Sequence, residues 1–316
     1  MSMTESPLVS VVILNYKRRD ALDRSLDSTR QQSYENREII VVDNNSQDGI
    51  REFLASYAPE ARLIELNENR GACGGRNAGI RAANGDIIIT VDNDVFFEGP
   101  LEISKTVETF ARRRDIHVLA FQLCDELTGT VRVREWCHPR SLATYGETEF
   151  ETNYFIEGAC AVRREVYDTV GLYFEPLFIC GEGWDLALRM IDNNFRILHA
   201  PRIRLRHLMS METRTPERPY YFCTRNYVWI AYKDYPLLAG SAFLGFELLM
   251  MLYFALRSRH LVAFLRGFKD GCRGLARIRR ERTPVRSGTL KYLKELERWR
   301  PSLWTRFGRH REAIQL

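Results

Sequence analysis

The 316 residues are 45% hydrophobic and 28% charged, which excludes a disordered chain and allows one large domain or two modest ones. Seven cysteines, odd in number, scattered and without a Cys-x-x-Cys pair, argue against a disulfide framework or a zinc site and predict a reducing, cytoplasmic setting. Met1 to Leu8 lacks the basic flank and apolar stretch of an export signal, and the net charge of +5 is uneven: residues 257–316 hold 17 Lys and Arg against 5 Asp and Glu, a basic end that predicts an anionic partner.

In chain order, Val9 to Leu14 is an apolar run that reads as a buried strand, followed by Asn15-Tyr16-Lys17-Arg18 and a helix with Leu22 and Leu26 at i, i+4 spacing. Glu38 to Asp43 repeats the pattern and ends in a turn-rich Asn-Asn-Ser-Gln-Asp-Gly. Arg62 to Leu66 is a third strand, and the glycine-rich Asn67 to Gly79 leads into a helix through Ile80 to Ala83. Ile87 to Val91 is the fourth strand, bounded by Gly85-Asp86 before it and Asp92-Asn93-Asp94 after it. Strands alternating with helices predict an α/β chain with a mainly parallel, Rossmann-like sheet. Beyond residue 100 the pattern predicts strands at Ile116 to Cys124 and Tyr154 to Val162, an edge strand or hairpin arm at Thr130 to Trp136, and two short strands at Phe195 to His199 and Ile203 to His207. A helix starts at Gly181-Glu182-Gly183-Trp184-Asp185, with acids in its first turn.

Ligands of open α/β sheets bind at the carboxyl ends of the strands. Asp92 and Asp94 are therefore placed to hold a divalent cation and a phosphorylated ligand, a solvated acidic turn being the alternative. Gly71, Gly74, Gly75 and Gly79 do not have the Gly-x-Gly-x-x-Gly spacing. Arg76 and Asn77 reach a diphosphate, or else the segment serves tight helix–strand packing. Gly158, inside a predicted strand, marks a bulge or the close approach of a ligand. Glu182 and Asp185, three apart, share one side of the helix's first turn, where they complement the helix dipole or do chemistry.

Read together, these motifs resemble the inverting family 2 glycosyltransferases of GT-A fold, particularly bacterial rhamnosyltransferase-like members, over residues 8–230. The parts are Val-Ser-Val-Val-Ile-Leu-Asn-Tyr at 9–16, Ile-Ile-Val-Val-Asp-Asn-Asn-Ser at 39–46, Asn-Arg-Gly-Ala at 69–72, Arg-Asn-Ala-Gly at 76–79, Asp-Asn-Asp at 92–94, Glu-Gly-Ala at 157–159, Glu-Gly-Trp-Asp-Leu-Ala-Leu-Arg at 182–189, His207, and Arg225-Asn226. The resemblance implies a GT-A type mixed sheet flanked by helices over 1–212, its nucleotide-sugar half at about 1–100 and its acceptor half at about 101–212. A helical, aromatic and basic region follows at 213–316. It implies a UDP- or dTDP-sugar donor carrying a hexose or deoxyhexose, one Mg²⁺ or Mn²⁺, and a saccharide or polyprenyl-linked acceptor in cell-surface glycan synthesis. Asn15, Tyr16, Asp43, Arg76, Asn77, Asp92 and Asn93 take the donor, with Asp43 on the pyrimidine; Asp94, Asp92 and His207 take the metal. Glu157, Gly158 and Trp184 face the acceptor. The family's base is the Asp of Glu-Asp-x-Asp, here replaced by Gly183, so the role passes to Glu182, with Asp185 as runner-up.

Leu237 to Leu256 is a nearly continuous apolar run long enough to cross a bilayer. A single span would separate a cytoplasmic catalytic part from the basic end, so peripheral contact of 237–286 with the anionic inner face of the cell membrane is expected, with helix packing or a homodimer as the alternative. No nucleic-acid partner is expected. Two other functions remain open, a sugar nucleotidyltransferase and an inactive membrane-binding adaptor on the same fold.

Overall fold

The computed structural model describes residues 6–208 and 215–298, apart from the side chain of Arg134. The expected boundary at 212 and the basic residues beyond 298 lie outside the described residues. The strands are β1 (Val9–Asn15), β2 (Arg37–Asp43), β3 (Arg62–Glu65), β4 (Ile87–Asp92), β5 (Val95–Phe97), β6 (Val118–Asp125), β7 (Phe150–Thr152), β8 (Ala159–Arg163) and β9 (Ile197–His207). They form one mixed sheet in the order β3-β2-β1-β4-β8-β6-β9-β5, with β7 also paired to β9. The first four strands are mutually parallel, while β8 runs antiparallel to both β4 and β6. This is the expected fold class.

Strand alternation explains the two cores. Val12, Leu14, Ile40 and Val42 face one side of the sheet, and Val11, Ile13, Ile39 and Val41 face the other. The second side is covered by α1 (Arg19–Arg30), α2 (Ile50–Tyr57) and, through Ile103 and Phe110, α4 (Glu102–Arg112); the first is covered by α3 (Gly71–Ala82) and, beyond the short α5 (Leu142–Tyr145), by α6 (Arg164–Val170) and α7 (Glu182–Asp192). α3 lies unusually close because Gly79 has no side chain: a Cβ there would overlap Val12 and sit 2.9 Å from Val42 Cγ2. Helices alone follow, α8 (Arg218–Asp234), α9 (Leu237–Arg257), α10 (Leu261–Ile278) and α11 (Ser287–Glu297).

Four expectations are corrected. The glycine-rich segment is the helix rather than its lead-in, α3 beginning at Gly71. Thr130 to Trp136 pairs with no strand and closes in a 3₁₀ turn over Val133–Glu135. Tyr154 to Gly158 is loop, only Ala159–Arg163 joining the sheet, because the chain turns where the Ala159 N–H meets the Ile156 carbonyl and the Thr90 hydroxyl takes that of Glu157. The two short strands at 195–207 are one strand, β9, whose register against β6 shifts after Phe121.

Candidate active site

Parallel register brings the chemistry to one edge. Asn15 pairs in register with Asp43, and Leu14 with Asp92, so the ends of β2, β1 and β4 lie side by side. Asn15 is fully buried and acts as a hub: its amide donates to Asp43 Oδ1 at 3.1 Å, and its Oδ1 accepts from Asn93 Nδ2 at 2.7 Å. Ser46 holds the Asp43 carboxylate from its backbone N–H, 2.9 Å from Oδ2, and from its hydroxyl. Tyr16 is half-buried and lines a cavity of ≈ 580 Å³ with Asn69, Phe178, Tyr221, Arg218 and Arg266 among its walls. That volume suits a nucleotide-sized ligand. The cavity borders the strand ends and reaches α10, but none of the site carboxylates lines it.

Asp94 is 3% exposed and forms an ion pair with Arg18 from the loop after β1. His207, at the end of β9, places Nε2 3.6 Å from Asp94 Oδ2 and Nδ1 2.7 Å from Glu135 Oε1. Burial works against charge on this imidazole, yet the two carboxylates that bracket it raise its pKa to about 9. Asp92 turns the other way, its Oδ1 accepting from Arg76 Nη2 at 2.6 Å. The expected set Asp92, Asp94 and His207 is thus brought together as the pair Asp94 and His207, and among the described residues no three His, Cys, Asp or Glu side chains converge as an ion cage.

Arg76 is buried and reaches from Asp92 to Glu182 Oε1 at 3.4 Å. Asn77 is wholly buried and ties the segment before α7 instead of facing the strand ends: its amide donates to the Tyr173 carbonyl at 2.8 Å, and its Oδ1 accepts from the Tyr173 N–H at 3.0 Å. α3 runs through residue 77 and turns that side chain toward the 173–175 segment.

The carboxylates on the far side of Asp92 divide sharply. Asp185 has no exposed surface and is clamped by Lys233 Nζ at 2.5 Å and Arg189 Nη2 at 2.7 Å. Desolvation alone would raise its pKa; the two cations overcome that and lower it to about 2. Glu182 is also buried, and burial beside the Glu157 charge raises its pKa to about 8. Glu157 is partly exposed, its carboxylate accepts from Tyr154 Oη at 3.4 Å, and burial raises its pKa despite the nearby Arg76. Gly158 is needed for the close approach of Asp92, since a Cβ at 158 would overlap that carboxylate. Trp184 is half-buried, donates Nε1–H to Tyr235 Oη at 3.0 Å and stacks on Phe243 of α9. It seals α7 to the C-terminal helices.

Sequence reasoning missed Arg18 and Glu135. Arg18 had a signal, being a cation just beyond the first strand, whereas Glu135 had none, because the Val133–Glu135 turn reaches His207 only through the fold. Arg225 and Asn226 of α8 fix the loop ahead of α7: Asn226 Nδ2 donates to the carbonyls of Leu177, Ile179 and Cys180, and Arg225 Nη2 to that of Leu177.

The family model for glycosyl transferase family 2 matches residues 10–171, the span that carries β1 to β8. An uncharacterised glycosyltransferase of Bacillus subtilis, YwdF, is 30% identical over 61% of this chain and 71% of its own length. The O-antigen biosynthesis protein RfbC of Myxococcus xanthus is 26% identical over 73% of this chain and 19% of its own length. The chain spans about half, 51%, of the length of an uncharacterised Mycobacterium tuberculosis glycosyltransferase, Rv1514c, at 31% identity. Among solved structures, the mannosyltransferase PcManGT of Pyrobaculum calidifontis in complex with GDP-Man and Mn²⁺ is similar in fold, with a TM-score of 0.58 at 17% identity over 98% of this chain and 85% of that one. With half of its residues matched by the family model and most of YwdF covered, this chain belongs to glycosyl transferase family 2.

Proposed function

We propose that this protein is a divalent-cation-dependent, inverting glycosyltransferase. In this reading it moves a hexose or deoxyhexose from a UDP- or dTDP-sugar to a saccharide or lipid-linked acceptor of a cell-surface glycan. The observation that carries the reading is the pairing of Asp43, Asp92 and Asp94 at neighbouring strand ends with a second group of carboxylates, Glu157 and Glu182, across Asp92. One set suits a nucleoside diphosphate and the other a hydroxyl that must lose its proton. The O-antigen role of RfbC supports the glycan assignment, and the bound GDP-Man of PcManGT supports a nucleotide-sugar donor.

The Asp43 carboxylate, held by Ser46 and Asn15, still has lone pairs for a nucleobase N–H. The donor set around Asp94 fits a divalent cation that takes the place of the His207 proton: a carboxylate, an imidazole oriented by Glu135 from its other nitrogen, and a buried Glu135 Oε2 with no hydrogen-bond partner among the described residues. Asp94 and His207 would hold Mg²⁺ or Mn²⁺, which characteristically takes one or two carboxylates and completes its shell with phosphate oxygens and water. When bound, the ion neutralises charge that develops on the departing diphosphate. Arg18, beside Asp94, adds a fixed positive charge at the same mouth.

On the acceptor side a carboxylate takes the hydroxyl proton, the oxygen bonds to the anomeric carbon from the face opposite the diphosphate, and the carbon–oxygen bond to the β-phosphate breaks with its electron pair. A nucleotidyltransferase has no use for carboxylates on that second side, and the family match leaves that alternative without support.

Peripheral membrane contact is part of the proposal. α9 is long and apolar enough to cross a membrane by length and composition, yet it packs along α8 at both ends, Gly240 against Ala231 and Tyr235, and Phe254 in a cluster with Tyr220. A helix fastened that way to the catalytic part favours lying on a bilayer over crossing it. Leu238 is 87% exposed and Leu249 63%, and Arg257, Arg259, Arg266 and Lys269 lie on or beside the same helices. Titrating the protein with UDP, dTDP and their sugars, with and without Mn²⁺, tests the reading: binding that requires the metal is expected.

A further inference from the structure

The reaction proposed above needs a carboxylate that touches the acceptor hydroxyl, and the following rests on that reading. Asp185 cannot supply it without leaving Lys233 and Arg189, and it has no exposed surface. Glu182 is 4% exposed and faces Arg76. Glu157, with Arg76 also nearby, differs in its exposure. It keeps part of its surface open, and its backbone is fixed at the mouth of β4 by the Thr90 hydroxyl, 2.6 Å from the Glu157 carbonyl, and by Gly158 against Asp92.

Gly183, the second residue of α7, gives the decisive geometry. A Cβ built there would overlap Glu157 Oε1 and stand 2.6 Å from Cδ and 3.0 Å from Cγ, so the end of the Glu157 side chain occupies the space that any side chain at 183 would enter. The missing side chain on α7 and the carboxylate from the loop before β8 are therefore two halves of one arrangement. The place at which α7 would present an acid is filled from another element.

We propose that Glu157 is the catalytic base, a carboxylate delivered from the loop before β8 into the space left by Gly183. The acceptor O–H proton passes to Glu157, the acceptor oxygen bonds to the anomeric carbon, and the nucleoside diphosphate leaves with the electrons of its bond to the sugar. Glu182 is then a positioning residue. Burial and the Glu157 charge raise the Glu182 pKa to about 8. This moves the base off α7, where the sequence had placed it at Glu182.

The test follows release of UDP or dTDP from a panel of UDP-glucose, UDP-galactose, UDP-N-acetylglucosamine and dTDP-rhamnose with Mn²⁺, water serving as acceptor, together with calorimetric affinity for UDP and dTDP. Glu157→Gln loses about 10²- to 10⁴-fold in turnover, the usual contribution of a general base, with nucleotide affinity unchanged. The double variant Glu157→Gly with Gly183→Asp, which returns a carboxylate to the same space from α7, recovers part of that loss. Turnover kept in Glu157→Gln but lost in Glu182→Gln overturns the assignment and puts the base on α7. Loss in Glu157→Gln with no recovery in the double variant also overturns it, reducing Glu157 to a positioning role. Wild-type protein that releases no nucleotide and binds none overturns the transferase reading itself, a result distinct from either of these.

Discussion

Arg76 holds a buried cation between Asp92 and Glu182, and Glu182 has Glu157 on its other side. One positive charge among three carboxylates is too little to keep all of them ionised out of water. Glu182 therefore retains its proton to about 8 when folded, against 4.5 ordinarily. Between those values the unfolded chain has released a proton that the folded one keeps, so stability present below 4.5 is lost as pH rises toward 8. Glu182→Gln removes this loss: its melting temperature falls less than that of the wild type between about pH 5 and pH 9, measured by scanning fluorimetry at fixed ionic strength. Equal slopes for the two proteins contradict the buried-acid account. The aspartates at 43, 92 and 94 were legible in the sequence because each closes an apolar run, and period alone puts such ends at a sheet edge. The partners of these acids were not: Arg18 meets Asp94, and Glu135 meets His207, across long sequence separations that only the fold closes.

Helix α7 was legible from its acidic first turn, but the work of its two acids was not, since a spacing of three says only that they share a side. Asp185 fastens α7 to α8 through Lys233, and Asp234 also holds that lysine. Breaking a buried pair costs about 3–5 kcal/mol, and with Asp234 still in place the lower end applies. Asp185→Asn should cost about 3 kcal/mol in urea unfolding and leave nucleotide binding intact; full stability with lost binding would reverse the assignment. The segment from Tyr154 to Gly158 reads as strand because most of its residues are apolar and β-prone. What ends the strand is the turn that brings the Ala159 N–H onto the Ile156 carbonyl, with the Glu157 carbonyl taken by the Thr90 side chain, a tertiary contact that no local pattern carries. Within α3, the spacing of Gly74, Gly75 and Gly79 was legible, and packing of Gly79 on Val12 and Val42 is the use the fold makes of it.

At the level of the molecule, a sheet with its acidic mouth at one edge meets helices that carry exposed apolar and basic residues. The exposed leucines of α9 and the exposed Val262, Leu265 and Phe268 of α10 have no cover among the described residues comparable to that of the sheet. The protein is expected to sediment with phosphatidylglycerol vesicles at low salt, to be released as salt screens the Arg and Lys charges, and to bind more weakly as Leu249→Glu. A protein indifferent to vesicles that dimerises in ultracentrifugation would assign this face to a second copy. The most direct measurement on the central claim is the titration of UDP and dTDP into wild-type and Asp94→Ala protein in Mn²⁺ and in EDTA. The account predicts binding by the wild type that disappears in EDTA and in Asp94→Ala. Equal binding under all of these conditions, or none at all in Mn²⁺, would contradict it.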